Sequence, residues 1–475
     1  MKKITVVLLV LLISISYAAN IYADISETDY YLIKGLKRAG IPVVYKAVKS
    51  YGYFGTNHEL LAQPEDLFID KNGDLYIVDT GNNRIVKAHK DGELTGIYYG
   101  PEEKPLNKPC GIYVDDDGDM YIADTGNARI VHLSEEGKYV EEFVKPESDL
   151  VDTSVDFIPM KVYVDQLGQI FILNKDDYHG FMVINAYNEF MGYIGSTKLQ
   201  FNLKQKIIDI FATEEQKKAY SKKLPPAHSN FLINDEGLIY TTTIRCWNAQ
   251  VKKISTVGSN VYNKKDMFGE PNTANLQNSM PYFVDVAVDE DGIIYALEET
   301  HNKIYIYDQE GNSLAVFGGN GNWLGKFLLI SSIALDREGY IYVLDKLQNN
   351  VQVFEPTDFM KKVKHSLSLY YKGKYEESVG PWMEILQRCS IYKVAHKGMG
   401  KAYMKKGKWY EALSEFRKAD DRKEYSRAFS EIIHELYKKY FSLVVLTVIA
   451  LFLVVVKSLM VLGKKSREYL LETKT

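Results

Sequence analysis

The chain has 475 residues, 25% of them charged and 46% hydrophobic, with 36 Tyr and 20 Phe. That composition excludes a disordered or collagen-like chain, and the length admits more than one domain. The net charge of −4 hides a split: residues 357–440 hold 19 Lys+Arg against 11 Asp+Glu, while residues 1–356 carry −15, which excludes nucleic acid as a partner of the N-terminal part.

In chain order, Met1-Lys2-Lys3 and the apolar run from Ile4 to Ser14 lead to small-residue cleavage sites ending at Ala18 and Ala23. This predicts a secretory signal peptide over residues 1–23. Residues 24–42 are expected to form an amphipathic helix, with Tyr31, Ile33 and Leu36 packing against the next domain and Pro42 ending it.

From residue 43 to 355 one pattern returns six times. DLFIDKNGDLYIV around Gly73 and GIYVDDDGDMYIA around Gly118 match almost position for position, and worn copies follow at Gly168, Gly237, Gly292 and Gly339. Each has Asp or Asn three residues before the glycine and an aromatic three after. The apolar residues alternate, as in a strand with one face buried, and Asp70-Lys71-Asn72-Gly73 is turn chemistry. Strands are expected to end near Ile69, to run over 75–78 and 84–88, and to finish with 93–99. Four antiparallel strands per copy make a propeller blade, so the fold class is an all-β six-bladed β-propeller. The last copy shows three strands, so Val43 to Phe54 is expected to supply its fourth by pairing with Val351 to Phe354. Thr197 to Asn230 is an insertion with helical periodicity from Phe201 to Ala219.

The stretches Pro64 to Arg84 and Pro109 to Arg129 resemble the NHL-repeat family, whose motif runs P-x-G/D, two apolar alternations, D-x-x-G-x-aromatic, then D-T-G-N-x-R. Copies five and six keep the frame but carry Glu298-Glu299-Thr300-His301-Asn302-Lys303 and Asp345-Lys346-Leu347-Gln348-Asn349-Asn350 in place of the last part. The resemblance implies the fold and leaves the function open, because such propellers serve as binding scaffolds, lyases and lactonase-like enzymes.

Beyond Glu355-Pro356 the pattern becomes helical over 357–440. Gly400, Tyr403, Gly407, Ala412, Phe416 and Ala419 stand as in a tetratricopeptide repeat, a family this segment resembles, and a weaker first copy has Ser378 and Trp382 at the matching positions. Residues 441–463 are long and apolar enough to span a bilayer. Lys464, Lys465 and Arg467 follow, which places 464–475 on the cytoplasmic side and the bulk of the chain outside the cell membrane.

Three cysteines, Cys110, Cys246 and Cys389, with no CxxC spacing, predict no disulfide framework. No HExxH, GxSxG or P-loop occurs. At one frame position per copy stand Asp79, Asp124, Asn174, Thr243, Glu298 and Asp345, with His301 near by. As a ring at a channel mouth they could hold a divalent cation such as calcium through oxygen ligands; alternatively each caps its own turn. The function expected is a membrane-anchored binding or assembly scaffold for an extracellular protein or glycan. The alternative is a metal-dependent lactonase-like hydrolase or lyase working in the channel. Loop parity places the insertion and Trp323 on the same face as that ring, so the ligand is expected there.

Overall fold

The computed structural model describes residues 29–33, 37–54, 59–152, 154–196, 226–244, 249–255, 258–262, 268–270 and 280–472. The chain divides into two compact units, residues 1–361 and 362–475. The first is a six-bladed propeller. Blade one runs Asp66–Ile69, Leu75–Asp79, Arg84–Ala88 and Leu94–Tyr98, in that spatial order, all antiparallel. Blades two and three repeat it with inner strands Gly111–Val114 and Pro159–Val164. Blade four shows three strands among the described residues, from His228–Ile233 outward. Blades five and six begin at Phe283–Val288 and Ile330–Leu335.

The turn chemistry works as its residues require. Asp70 Oδ1 accepts the Asn72 and Asp74 amides at 2.8 and 2.9 Å, and Gly73 takes a φ of 87° in the left-handed region that a side chain disfavours. The blades then pack face to face. Leu75, Ile77 and Val86 of blade one meet Leu344, Val351 and Val353 of blade six on one side. Val78 and Ile85 meet Ile112, Ile122 and Val131 of blade two on the other.

Ring closure occurs where the sequence places it. Tyr45–Tyr51 pairs antiparallel with Asn350–Pro356, Tyr51 opposite Val351 and Tyr45 opposite Pro356. The helix expected over residues 24–42 is not formed in its described part. Tyr30–Ile33 and Lys37–Gly40 are a β-hairpin that extends blade five, with Tyr30 opposite Val316. The reason is tertiary. The outer strand Ser313–Gly318 has an open edge that an added strand satisfies. Glu270 then gathers the hairpin, accepting Tyr30 Oη at 2.5 Å and Arg38 Nε at 2.6 Å, with Lys303 Nζ at 3.2 Å. Of the expected insertion, residues 197–225 and its helix lie outside the described residues; His228 to Asn230 belong to the inner strand of blade four. The signal-peptide segment also lies outside them.

The second unit is helical: Tyr375–Arg388, Lys393–Lys405, Trp409–Ala419 and Arg422–Glu472 follow the helix Asp358–Tyr371. Small residues stand where these helices cross. A Cβ on Gly398 would lie 2.3 Å from Trp382 Nε1, and one on Gly400 2.5 Å from Phe416 Cε1. By length and composition the helix Arg422–Glu472 contains an apolar stretch long enough to cross a membrane, and no part of that stretch is buried.

Candidate functional site

The frame residues, read in the sequence either as a ring at a channel mouth or as caps of their own turns, spend their polar atoms on their own turns and on the connections between blades. Asp79 is fully buried; its Oδ1 accepts the Ala62 amide at 2.7 Å and its Oδ2 accepts Asn82 Nδ2 and Arg84 Nε at 2.8 and 2.7 Å. Asp124 repeats this with Asn107, Asn127 and Arg129. Asn174 holds the Ile158 amide and the Asp156 carbonyl. Glu298 takes the Tyr282, Thr300 and His301 amides, and its Oε2 lies 2.9 Å from His301 Nδ1. Asp345 takes four amides, from Leu328, Leu329, Leu347 and Gln348. Thr243 is buried in its strand. Neighbours in the same loops rivet one blade to the next: Thr80 Oγ1 donates to Pro109 O at 2.7 Å, and Asn349 Oδ1 accepts the Gln63 amide at 2.8 Å across the closure.

A divalent cation on this ring does not fit. The oxygens are turned to donors within separate blades, and among the described residues no group of three or more His, Cys, Asp or Glu is placed to hold a metal ion. Trp323 is 56% exposed on the connection between blades five and six, and neither it nor any of the frame residues lines the cavity described next.

A cavity of about 1010 Å3 occupies the channel and opens among the D-x-x-G turns, on the face opposite the one expected. Its walls follow from strand geometry: side chains two apart on an inner strand share a face, so three layers face the axis. Counting back from each frame glycine, the third residue gives the mouth, Asp70, Asp115, Asp165, Asn234, Asp289 and Asp336. In each the Oδ1 caps the turn through the amide four residues on. The fifth gives Phe68, Tyr113, Tyr163, Leu232, Ala287 and Ala334. The middle layer is therefore lopsided, an aromatic arc on blades one to three facing alanines on blades five and six. Phe68 and Tyr113 meet edge to face at 5.6 Å between centroids, and Tyr113 and Tyr163 lie tilted by 51° at 4.6 Å.

The seventh gives the floor: Asp66, Gly111, Lys161, Asn230, Asp285 and Ser332. In blades three to six a β-bulge falls just before this residue, between Pro159 and Lys161 and at the equivalent places. Such a bulge re-aims the side chain that follows it. Lys161 Nζ reaches past blade two to Asp66 Oδ1. Ser332 Oγ lies 2.9 Å from Asp66 Oδ1 and 2.7 Å from Asp285 Oδ2, and Asn230 Nδ2 donates to Asp285 Oδ1. The amides of Ile112 and Ile333 complete the two carboxylates at 3.0 and 2.8 Å. Gly111 is the position that makes room, since a Cβ there would sit 2.3 Å from Met160 O and 3.0 Å from Lys161 Cα. Burial pushes the Asp285 carboxyl up to about 6 against the pull of Lys161. Burial pulls Lys161 down, but the charges of Asp66 and Asp285 outweigh it and the net is upward.

Eleven acidic and five basic residues line the cavity, so its field is negative. Four of the five cations are engaged within the protein: Lys71 on the Asp116 carbonyl, Lys90 on Glu338, Lys161 on Asp66, and Lys253 over the Tyr240 ring at 5.4 Å.

A family described as a 6-bladed beta-propeller matches residues 284–383, and the NHL repeat matches residues 61–88 and 106–133. No curated protein matches the chain. Solved structures similar to it include a streptogramin B lyase, 15% identical over 70% of this chain and 87% of that one, with a TM-score of 0.40. A virginiamycin B lyase from Staphylococcus aureus is 12% identical over 69% and 94%, TM-score 0.39. A gluconolactonase from Xanthomonas campestris is 10% identical over 70% and 95%, TM-score 0.42. These likenesses assign no activity to this chain. The six blade sheets and the repeat matches together make it a chain that carries NHL repeats in a six-bladed β-propeller followed by C-terminal helices.

Proposed function

We propose that this chain is a single-pass membrane protein that displays its propeller on the extracytoplasmic side as a binding module, with the ligand held in the channel cavity. The tetratricopeptide-like helices 357–440 serve as a stalk and adaptor, and residues 441–463 as the anchor. The exposed apolar stretch of the last helix and the cations after it support the anchor. The observation that carries the binding reading is the cavity, which is of the size that encloses small ligands and has an aromatic wall and a closed polar floor. A partner protein or glycan on the same cell surface is the natural source of what it presents or receives.

Two experiments test this. Protease added to intact cells should remove the ring and leave a short C-terminal fragment; a protected ring refutes the topology. Ala334→Trp should fill the cavity from blade six. A compound that raises the melting temperature of the parent should lose its effect on that variant, and a shift that survives places the site elsewhere.

One observation favours a second reading, a hydrolase or lyase acting in the channel: the floor holds a carboxyl raised to about 6, Asp285, in one network with an ammonium, Lys161. Proton transfer needs groups of that kind. Turnover of a lactone panel, abolished by Asp285→Asn in a folded variant, would replace the binding reading with this one.

A further inference from the structure

We propose that the channel cavity takes a small, elongated organic cation, an amine or guanidinium compound, seated with its charge against the arc of Phe68, Tyr113 and Tyr163. The inference rests on the binding reading above and names its ligand class.

Three observations converge on it. The first is shape. Of the six middle-layer residues three are aromatic, one is Leu232 and two are alanine, so room is left on the side of Ala287 and Ala334, and Phe68, Tyr113 and Tyr163 line the same cavity. An aromatic face attracts a cation electrostatically, more strongly when water is excluded. The second is the balance of charge. Four of the five cations in the lining are already held by the protein, whereas Asp116, Asp235, Glu236 and Glu290 stand exposed at the mouth. A carboxylate ligand is opposed by this field, while a positive ligand is drawn in by it. The third is the surroundings of the arc. Burial raises both tyrosine hydroxyls first. The nearby carboxylates, Asp115 and Asp116 for Tyr113 and Asp235, Asp165 and Asp116 for Tyr163, add to the effect. The two rings therefore sit neutral in a negative potential.

The floor fits the same ligand. Its two carboxylates are satisfied by Lys161, Asn230, Ser332 and backbone amides, so they do not demand a bound metal, and the one ammonium there repels a second cation. The charged end of the ligand stays in the middle and mouth layers, and its length runs along the axis.

The test is calorimetric titration of the full chain in detergent with spermidine as the cationic probe and maltotriose as the neutral one. Spermidine should bind saturably and weaken as salt rises. Tyr113→Ala should weaken it at least tenfold, while Tyr113→Phe, which keeps the ring, should bind as the parent does. Asp79→Ala, on a blade fastener, should leave spermidine affinity unchanged in the folded fraction. Spermidine binding that ignores Tyr113→Ala is attraction to an acidic surface and overturns the proposal. Maltotriose binding that is lost in Ala334→Trp, with no binding of spermidine, overturns the cation class and leaves the cavity reading standing. Failure of both probes overturns the cation proposal, and a compound found by the thermal-shift comparison with Ala334→Trp then decides the wider reading.

Discussion

Gly111→Ala is the smallest change that tests whether the floor is built as described. Gly111 takes no left-handed conformation, so backbone freedom does not explain the residue. Space does. The added Cβ would lie 2.3 Å from Met160 O, where contact distances below 3.0 Å essentially never occur, and 3.1 Å from Lys161 Cδ. The obstacle is a backbone carbonyl at a bulge, which cannot swing aside as a side chain can. The inner strand of blade three must retreat from the axis by roughly 1 Å to restore van der Waals contact. Overpacking of this kind costs about 1–3 kcal/mol. The substitution also stiffens the unfolded chain, which offsets about 0.4–1 kcal/mol, so the strain term wins and a net loss of about 1–2 kcal/mol is expected. If the retreat also draws Lys161 off Asp66, an uncompensated buried carboxylate raises the loss to about 3–5 kcal/mol. Scanning calorimetry of the full chain in detergent reads this as a propeller transition lowered by a few degrees, at roughly 2–4 °C per kcal/mol. A Gly111→Ala chain whose ring melts with the parent refutes the crowding of blade two against blade three, and with it the path of Lys161 to Asp66.

Two further outcomes follow from the same geometry. Asp285 binds its proton more tightly folded than unfolded, rising from 3.8 to about 6, so its contribution is fully present below pH 3.8 and is lost as pH rises through 6. That loss amounts to about 3 kcal/mol at 1.36 kcal/mol per pH unit. The difference in denaturant stability between Asp285→Asn and the parent should therefore move in favour of the variant between pH 4 and 6, and a pH-independent difference refutes the assignment. Ala412 is fully buried beside Phe416, so Ala412→Leu should overpack the helical unit by about 1–3 kcal/mol; urea unfolding followed by the helical signal checks it.

The propeller is legible in the sequence because its turns are chemistry that repeats. The aspartate or asparagine three residues before each glycine meets the amide four residues on, and the same three-residue spacing therefore survives in copies whose other residues have drifted. The outer hairpin is not legible for the opposite reason. Tyr30 to Ile33 form a short apolar run without alternation, which fits a strand or a helix alike, and Lys37 to Gly40 carry no strand pattern; the edge of blade five and Glu270 hold both extended. Local propensity yields there to a partner 240 residues away in sequence. The blade fasteners admit two readings in the sequence, a cation ring or caps of their own turns. Asp79 and Asp124 look chemical because a buried carboxylate repeated around a ring is what a metal site needs, yet a propeller needs the same carboxylates simply to join blades.

The channel lining lies in two other columns of the repeat. Read down the copies, the seventh residue before the glycine runs Asp, Gly, Lys, Asn, Asp, Ser, and the fifth runs Phe, Tyr, Tyr, Leu, Ala, Ala. These columns stand out by how they vary. Positions that fasten blades can repeat from blade to blade, as Asp79 with Arg84 in blade one and Asp124 with Arg129 in blade two show. An elongated, asymmetric ligand on the axis meets six walls at once, and walls that differ can tell one side of it from the other. Charges of both signs on the floor would repel or attract indiscriminately if each blade carried the same one. Placed as two carboxylates, one ammonium and two neutral donors, they close into a single network. The aromatic arc on three consecutive blades then gives the cavity a direction that a sixfold ring lacks. In this chain the residues that depart from the repeat, inward of the recurring turn, are the ones around the channel cavity and its floor.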